Sequence, residues 1–172
     1  MREMATMSNR IKDKNDEYFM SLALEQARIA ADLCEVPVGA VIVKDGEVLS
    51  LAHNLREKNG MATAHAELLA IEEACRTLGG WRLSGCTLYV TLEPCPMCAG
   101  AIVNSRVDKV VYGVADAMAG CCGSVINFNS YPFNHAFETV GGVCEDQCRE
   151  LLKKFFEKQR KIKNKTEEKD GN

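Results

Sequence analysis

Apolar residues return at helical spacing early in the chain: Phe19, Ala23, Ala27 and Ala30 share one face of a segment ending near Leu33. Asn15 or Asp16 is placed to cap that helix, and Val36-Pro37 breaks it. The period then shortens to that of strands. Gly39 to Lys44 and Glu47 to Ala52 predict two strands joined at Asp45-Gly46, a two-residue turn that tolerates positive φ. His53 to Met61 is polar and reads as a loop. Helical spacing resumes near Thr63, a capping residue, and stops at Gly79-Gly80 after Leu78. Thr87 to Thr91 predicts a third strand, and Pro94 opens a helix that reaches about Asn104. Lys109 to Val114 predicts a fourth strand. Ala115 to Asn134 is rich in Gly, Cys and Asn and has no period. A weak strand near Phe137 to Val140 precedes a long helix from Cys144 to about Lys163.

A hairpin followed by alternating helices and strands predicts one α/β sheet covered by helices. The third and fourth strands are joined by a helix, so they run parallel with a right-handed crossover. No repeat, low-complexity segment or linker divides the 172 residues. The expectation is a single domain over 1–172, with frayed ends at 1–14 and 164–172. Apolar runs such as Val38 to Val43 are far too short to cross a membrane. Met1 to Asp16 lacks the apolar centre of a secretory signal, which predicts a cytoplasmic protein with no membrane partner.

Charge and cysteine content sharpen this picture. The net charge is −3, but the segment from Lys153 onward carries eight basic and four acidic residues, so the body is acidic and the end basic. Such an end either meets a polyanion or simply complements a helix dipole. Nine cysteines, an odd number with no secretory signal, argue against a disulfide framework. Most are expected to be small buried hydrophobes, Cys121 and Cys122 included.

Two short motifs carry the chemistry. Thr63-Ala64-His65-Ala66-Glu67 enters one helix, and Pro94-Cys95-Pro96-Met97-Cys98 enters another directly after a strand. In an open α/β sheet such turns line the crevice where ligands bind. Cys95 and Cys98, three apart, lie on one face of a helical turn whose N-terminus favours thiolates. Two thiolates and one imidazole make three ligands for a tetrahedral Zn²⁺ and leave a fourth position for water, the pattern of a catalytic zinc site. Such a water has a pKa of about 7. Glu67 is assigned as the general acid/base that moves its proton, not as a ligand. A Cys-x-x-Cys pair alone also fits a thioredoxin-like redox pair or half of a Cys₄ zinc site. The redox reading lacks the usual position after the first strand, and the Cys₄ reading needs a second pair from Cys121-Cys122 or Cys144…Cys148, whose spacings are unusual.

His65-Ala66-Glu67 with Pro94-Cys95-Pro96-Met97-Cys98 resembles the signature of the zinc nucleobase deaminases, the cytidine/deoxycytidylate deaminase superfamily. The likeness to the bacterial tRNA-specific adenosine deaminases is wider and spans about Asp16 to Lys163. It includes Glu35-Val36-Pro37-Val38-Gly39-Ala40-Val41, Asn54, Leu88 to Cys95, Met97 to Ile102, Val111-Tyr112-Gly113 and Asp116. The resemblance implies a three-layer α/β/α sandwich with a cytidine-deaminase-like mixed sheet of about five strands, and a homodimer. It implies one Zn²⁺ per subunit on His65, Cys95 and Cys98, with Glu67 as proton shuttle and no nucleotide cofactor. It implies that the substrate is the wobble adenosine of a tRNA anticodon stem-loop, converted to inosine, with Asn54 on the flipped base and Asp116 beside the nucleotide. Met118-Ala119-Gly120-Cys121-Cys122 replaces the Lys-Thr-Gly-Ala-Ala of well-known members, so the loop bordering the substrate differs.

With that substrate, the amide of Ala66 is a candidate contact to the base. The basic end (Lys153, Lys154, Lys158, Arg160, Lys161, Lys163) is expected on stem phosphates, and Phe156 or Phe155 on a base. Two other readings stand beside this one: a deaminase of free guanine or cytosine, and an inactive zinc-stabilised RNA-binding subunit, which would have no need of Glu67.

Overall fold

The computed structural model describes the backbone of residues 2–170 and the side chains of residues 16–164. Five strands form one sheet: β1 (Gly39–Lys44), β2 (Glu47–His53), β3 (Cys86–Leu92), β4 (Lys109–Val114) and β5 (Glu138–Gly141). Their order is β2-β1-β3-β4-β5. β1 is antiparallel to both β2 and β3, whereas β3, β4 and β5 are mutually parallel. The sheet is therefore mixed, with the crossover between β3 and β4 parallel as expected.

Side chains alternate across the sheet, as the two-residue strand period requires. Ala40, Ile42, Leu88, Val90 and Val110 face α3 (Ala66–Leu78) and α4 (Pro96–Ser105), joining Ala70, Ile71, Ala74, Ile102 and Val103. Val41, Val43, Tyr89 and Val111 face the other way, toward α1 (Arg2–Asp32) and the start of α5 (Glu145–Asp170), joining Phe19, Met20, Ala23, Leu24 and Cys148. The result is three layers, helices on both faces of the sheet. α1 lies close on β1 because Gly39 has no Cβ, which would otherwise collide with the Ala23 carbonyl.

Several helix boundaries differ from the sequence reading. α1 begins at Arg2, not at Asn15 or Asp16. Residues 2–14 contain no Pro or Gly and many strong helix formers, so nothing stops the helix there. Asp16 is therefore not a cap. It is buried and accepts hydrogen bonds from the Tyr89 hydroxyl at 2.6 Å and the Lys109 ammonium at 3.0 Å. A four-residue helix, α2 (Arg56–Asn59), interrupts the segment expected to be loop. α3 starts at Ala66 with His65 as its N-cap, three residues after Thr63. α5 continues to Asp170, again through residues without Pro or Gly. The helices thus run on into 2–14 and 164–170, where the sequence reading has frayed ends. The side chains of 1–15 and 165–172, including Asn9, Arg10 and Lys12 to Lys14, lie outside the described residues.

The parallel arrangement sets up one functional edge. The C-terminal ends of β2, β3 and β4 and the N-terminal end of β1 all meet on the same side of the sheet. Asn54, Glu93 to Cys95, Asp116 and Glu35 to Val38 follow or precede those ends directly.

Candidate functional site

A cavity of about 200 Å³ opens at this edge, and His65, Glu67, Cys95, Asn54, Ala66 and Asp116 line it. Both motifs reach it through helix N-termini. His65 caps α3 with extended backbone, φ −78° and ψ 148°. That break from helical geometry turns its ring to the same place as Glu67, which a continuous helix would have put on another side. Cys95 caps α4 in the same way, φ −75° and ψ 173°, with Pro96 in the first helical position. Cys98 is one turn along and is completely buried. The positive ends of two helix dipoles thus converge on the three side chains.

The His65 Nδ1 atom lies 3.8 Å from the Cys95 sulfur and 3.6 Å from the Cys98 sulfur. The three ligand atoms all fall within 4.8 Å of one another, so a single ion can touch all three. Among the described residues this is the one His/Cys/Asp/Glu group that meets that criterion. The neighbouring Cys98 thiol brings the Cys95 thiol down to about 4, with His65 adding to the effect. Cys95, with burial, pushes Cys98 far up. His65 is raised, first by its hydrogen bond to Cys95. A cation held by the two sulfurs displaces the thiol protons that remain.

Glu67 is 4% exposed and belongs to the same cluster, since Cys95, His65 and Cys98 all act on its carboxyl. Burial raises its pKa above the usual carboxylate range. Ala66, fully buried, occupies the first position of α3 on the cavity wall.

Asn54 is buried, and its Nδ2 donates to the Glu35 carboxylate at 3.3 Å and to the Val36 carbonyl at 3.4 Å. Glu35 is itself 1% exposed and takes the backbone N–H groups of Glu57 at 3.1 Å and Lys58 at 2.6 Å. The short helix α2 is what presents those amides. Because both neighbours of Nδ2 are acceptors, the amide of Asn54 is fixed in one orientation. Asp116 sits on the rim, its Oδ1 accepting from the amides of Met118 at 2.9 Å and Ala119 at 3.3 Å.

Glu35 and Glu93 are site residues that the sequence reading does not single out. A signal is present: each is a lone carboxylate set among apolar residues, in Cys34-Glu35-Val36 and Leu92-Glu93-Pro94, where a charge is costly unless it is bonded. Glu93 is 2% exposed. Burial alone raises its pKa, but the Ser124 hydroxyl and three backbone amides outweigh that and hold it below the usual range.

Phe156 stands apart from this cavity. Its exposed ring lies on α5 beside Lys153, Gln159 and Arg160, with Phe155 packed edge-on at 5.4 Å. It contributes nothing to the pocket wall. Cys121 and Cys122 are buried as expected, and burial pushes their thiols up to about 11 and about 12. The other two histidines bond elsewhere, His53 to Gln26 at 3.0 Å and His135 to the Val107 carbonyl at 2.7 Å.

The geometry fits what related proteins are known to be. Residues 14–160 match the family model of the MafB19-like deaminases. The tRNA-specific adenosine deaminase of Bacillus subtilis is 53% identical over 149 residues, which cover 86% of this chain and 92% of that protein. A solved tRNA:A34 deaminase, studied for A-to-I editing at the wobble position of transfer RNA, is 44% identical. Its TM-score is 0.77 over 78% of this chain and 99% of that one. A guanine deaminase from Bacillus subtilis is 40% identical with a TM-score of 0.55, over 58% of this chain and 64% of that one. By the family match and the extent of these likenesses, the chain belongs to the MafB19-like deaminases, among the tRNA-specific adenosine deaminases.

Proposed function

We propose that the protein converts the wobble adenosine of a tRNA anticodon loop to inosine by zinc-dependent hydrolysis. The observation that carries this reading is the convergence of His65, Cys95 and Cys98 at one point of a cavity that also holds a buried Glu67. The donor set suits one Zn²⁺ per subunit: one imidazole nitrogen and two sulfurs, one of them readily ionised. When bound, zinc supplies an acidified water as nucleophile beside the substrate.

The rest falls to the chain. To enter the cavity the target base must leave its stack at a cost of about a few kcal/mol, least in a strained loop. Asn54, held by Glu35, grips the base edge. Ala66, at the start of α3, lines the same space, and its backbone N–H is the candidate second contact to the base. Glu67 takes a proton from the attacking water and delivers it to a ring nitrogen as C6 is attacked; it then takes the proton of the new C6 hydroxyl and gives it to the amino group, which leaves as ammonia. The basic end of α5 meets the phosphates of the stem, with Phe156 exposed among its cations for stacking on a base. The names of the tRNA-specific relatives support RNA as substrate. The resemblance to the family supports a homodimer. A tRNA substrate supports a cytoplasmic enzyme. Among the described residues no helix is long and apolar enough to cross a membrane.

The test is a nucleoside digest after incubating the zinc-loaded protein with an anticodon stem-loop carrying adenosine at the wobble position, beside free adenosine, guanine and cytidine. The reading predicts inosine from the stem-loop and little turnover of the free compounds. Turnover of guanine with an untouched stem-loop would replace it with a free-base deaminase, the activity of the Bacillus subtilis structural neighbour.

A further inference from the structure

The geometry points to Glu93 as the positioning residue that fixes the 116–124 loop as the substrate-facing wall of the cavity. This inference rests on the tRNA deaminase reading and deepens it. Glu93 is the last residue before the Pro94-Cys95 turn, so it is anchored to the segment that presents the metal-ligating sulfurs. Its carboxylate turns the other way. Oε1 accepts from the backbone N–H of Cys122 at 2.8 Å and of Ser124 at 3.2 Å. Oε2 accepts from the backbone N–H of Asp116 at 3.0 Å and from the Ser124 hydroxyl. All four donors belong to one nine-residue loop of turns, outside any strand or helix, with one isolated bridge from Cys122 to Asn127.

Two further features show that the loop is shaped around this carboxylate. Gly120 passes so close that a Cβ there would run into the Glu93 carboxyl and come within 2.6 Å of the Asp116 carbonyl. The amide of Cys121 donates to the Pro94 carbonyl at 2.9 Å, a second tie between the same two segments. The loop residues on the cavity wall are Asp116 and Ala119. Glu93 lines the cavity too, but both oxygens of its carboxylate are taken up by the loop, so the carboxylate acts through Asp116 and Ala119: it sets how far the rim stands from the ligand cluster, and so which nucleotide fits. The Met118 to Cys122 stretch, where this chain departs from familiar relatives, hangs on the same carboxylate.

Glu93→Gln tests this with little change of volume. A glutamine offers one acceptor oxygen and one NH₂ group. Placed toward Cys122 and Ser124, the NH₂ opposes two amide donors. Placed toward Asp116, it opposes one amide while the Ser124 hydroxyl rotates to accept. The second arrangement loses less, and it frees Asp116, the rim residue. The expected result on the anticodon stem-loop is a KM raised about tenfold with kcat within about twofold, zinc content unchanged and cooperative melting retained. Ser124→Ala removes one donor and should raise KM by a smaller factor. The effect of the double variant should depart from the product of the two single effects, because both act through one network. An unchanged KM, or a fall in kcat at unchanged KM, overturns the assignment. If Glu93→Gln does not fold, Ser124→Ala decides by the same split, since a merely structural loss lowers the melting temperature without moving KM. Wild-type protein that makes no inosine on the stem-loop would instead refute the tRNA reading itself.

Discussion

Buried polar groups cluster on both faces of the sheet, and the two clusters are built to opposite ends. Between α1 and the sheet, the carboxylate of Asp16 accepts from Tyr89 and Lys109, bringing together residues 73 and 93 positions apart in the chain. Each oxygen of Asp16 has its donor, and none of the three residues lines the cavity at the sheet edge. Burial and that hydrogen bond push the Tyr89 hydroxyl far above its ordinary pKa, so it stays a neutral donor. At the edge of the sheet, His65, Cys95, Cys98 and Glu67 are also brought together from distant positions. The His65 ring lies 3.8 and 3.6 Å from the two sulfurs, and these groups are better ligands than partners. The first cluster is closed and holds the fold. The second is left open and receives a ligand. Burial of charge does not by itself mark a site; donor atoms converging on a cavity do.

Substitutions on either side should separate the two. Glu67→Ala should abolish turnover by about 10²- to 10⁴-fold, the usual worth of a positioned general acid/base, while metal content and melting stay near wild type. Inosine formation and zinc content on one preparation check this. Asp16→Ala should do the reverse. It strands the Lys109 ammonium and the Tyr89 hydroxyl, costs about 2–4 kcal/mol of stability and lowers the melting temperature by roughly 5–15 °C, with kcat of the folded protein unchanged. A Glu67→Ala protein that still turns over, or an Asp16→Ala protein that melts normally, erases the distinction.

The closed cluster is hidden in the sequence, and the open one is not. His-x-Glu and Pro-Cys-x-x-Cys are local words, and their chemistry constrains the spacing. β1 and β4 likewise follow from local alternation and have the boundaries expected. The Asp16–Tyr89–Lys109 network depends on tertiary pairing alone, so Asp16 looks like a helix cap until the sheet brings Tyr89 to it. Glu35 and Glu93 show in the sequence only as lone carboxylates among apolar residues: most of their partners are backbone amides of α2 and of the 116–124 loop, which carry no side-chain signature. The early start of α1 is equally hard to see, because a capping residue marks a boundary only where a breaker stands before it, and none does.

Smaller effects belong to the RNA-facing side. Phe156→Ala should weaken binding of the stem-loop by about 1–3 kcal/mol and leave any free-base turnover alone, because its ring lies on α5 away from the cavity. Fluorescence anisotropy with a labelled stem-loop measures it. Neutralising Lys153 and Arg160, which flank that ring, should flatten the dependence of log affinity on log salt by about one unit for each phosphate no longer neutralised. A salt slope that does not move would place the RNA on another face.

On the proposed function, two helix N-termini assemble a zinc site with an open position beside Glu67. X-ray absorption at the zinc edge of the purified protein reads that site without reference to activity. The expected result is one zinc per chain bound by one imidazole nitrogen, two sulfurs and one light atom from solvent. A shell of four sulfurs, or zinc that survives His65→Ala with its coordination unchanged, would contradict it.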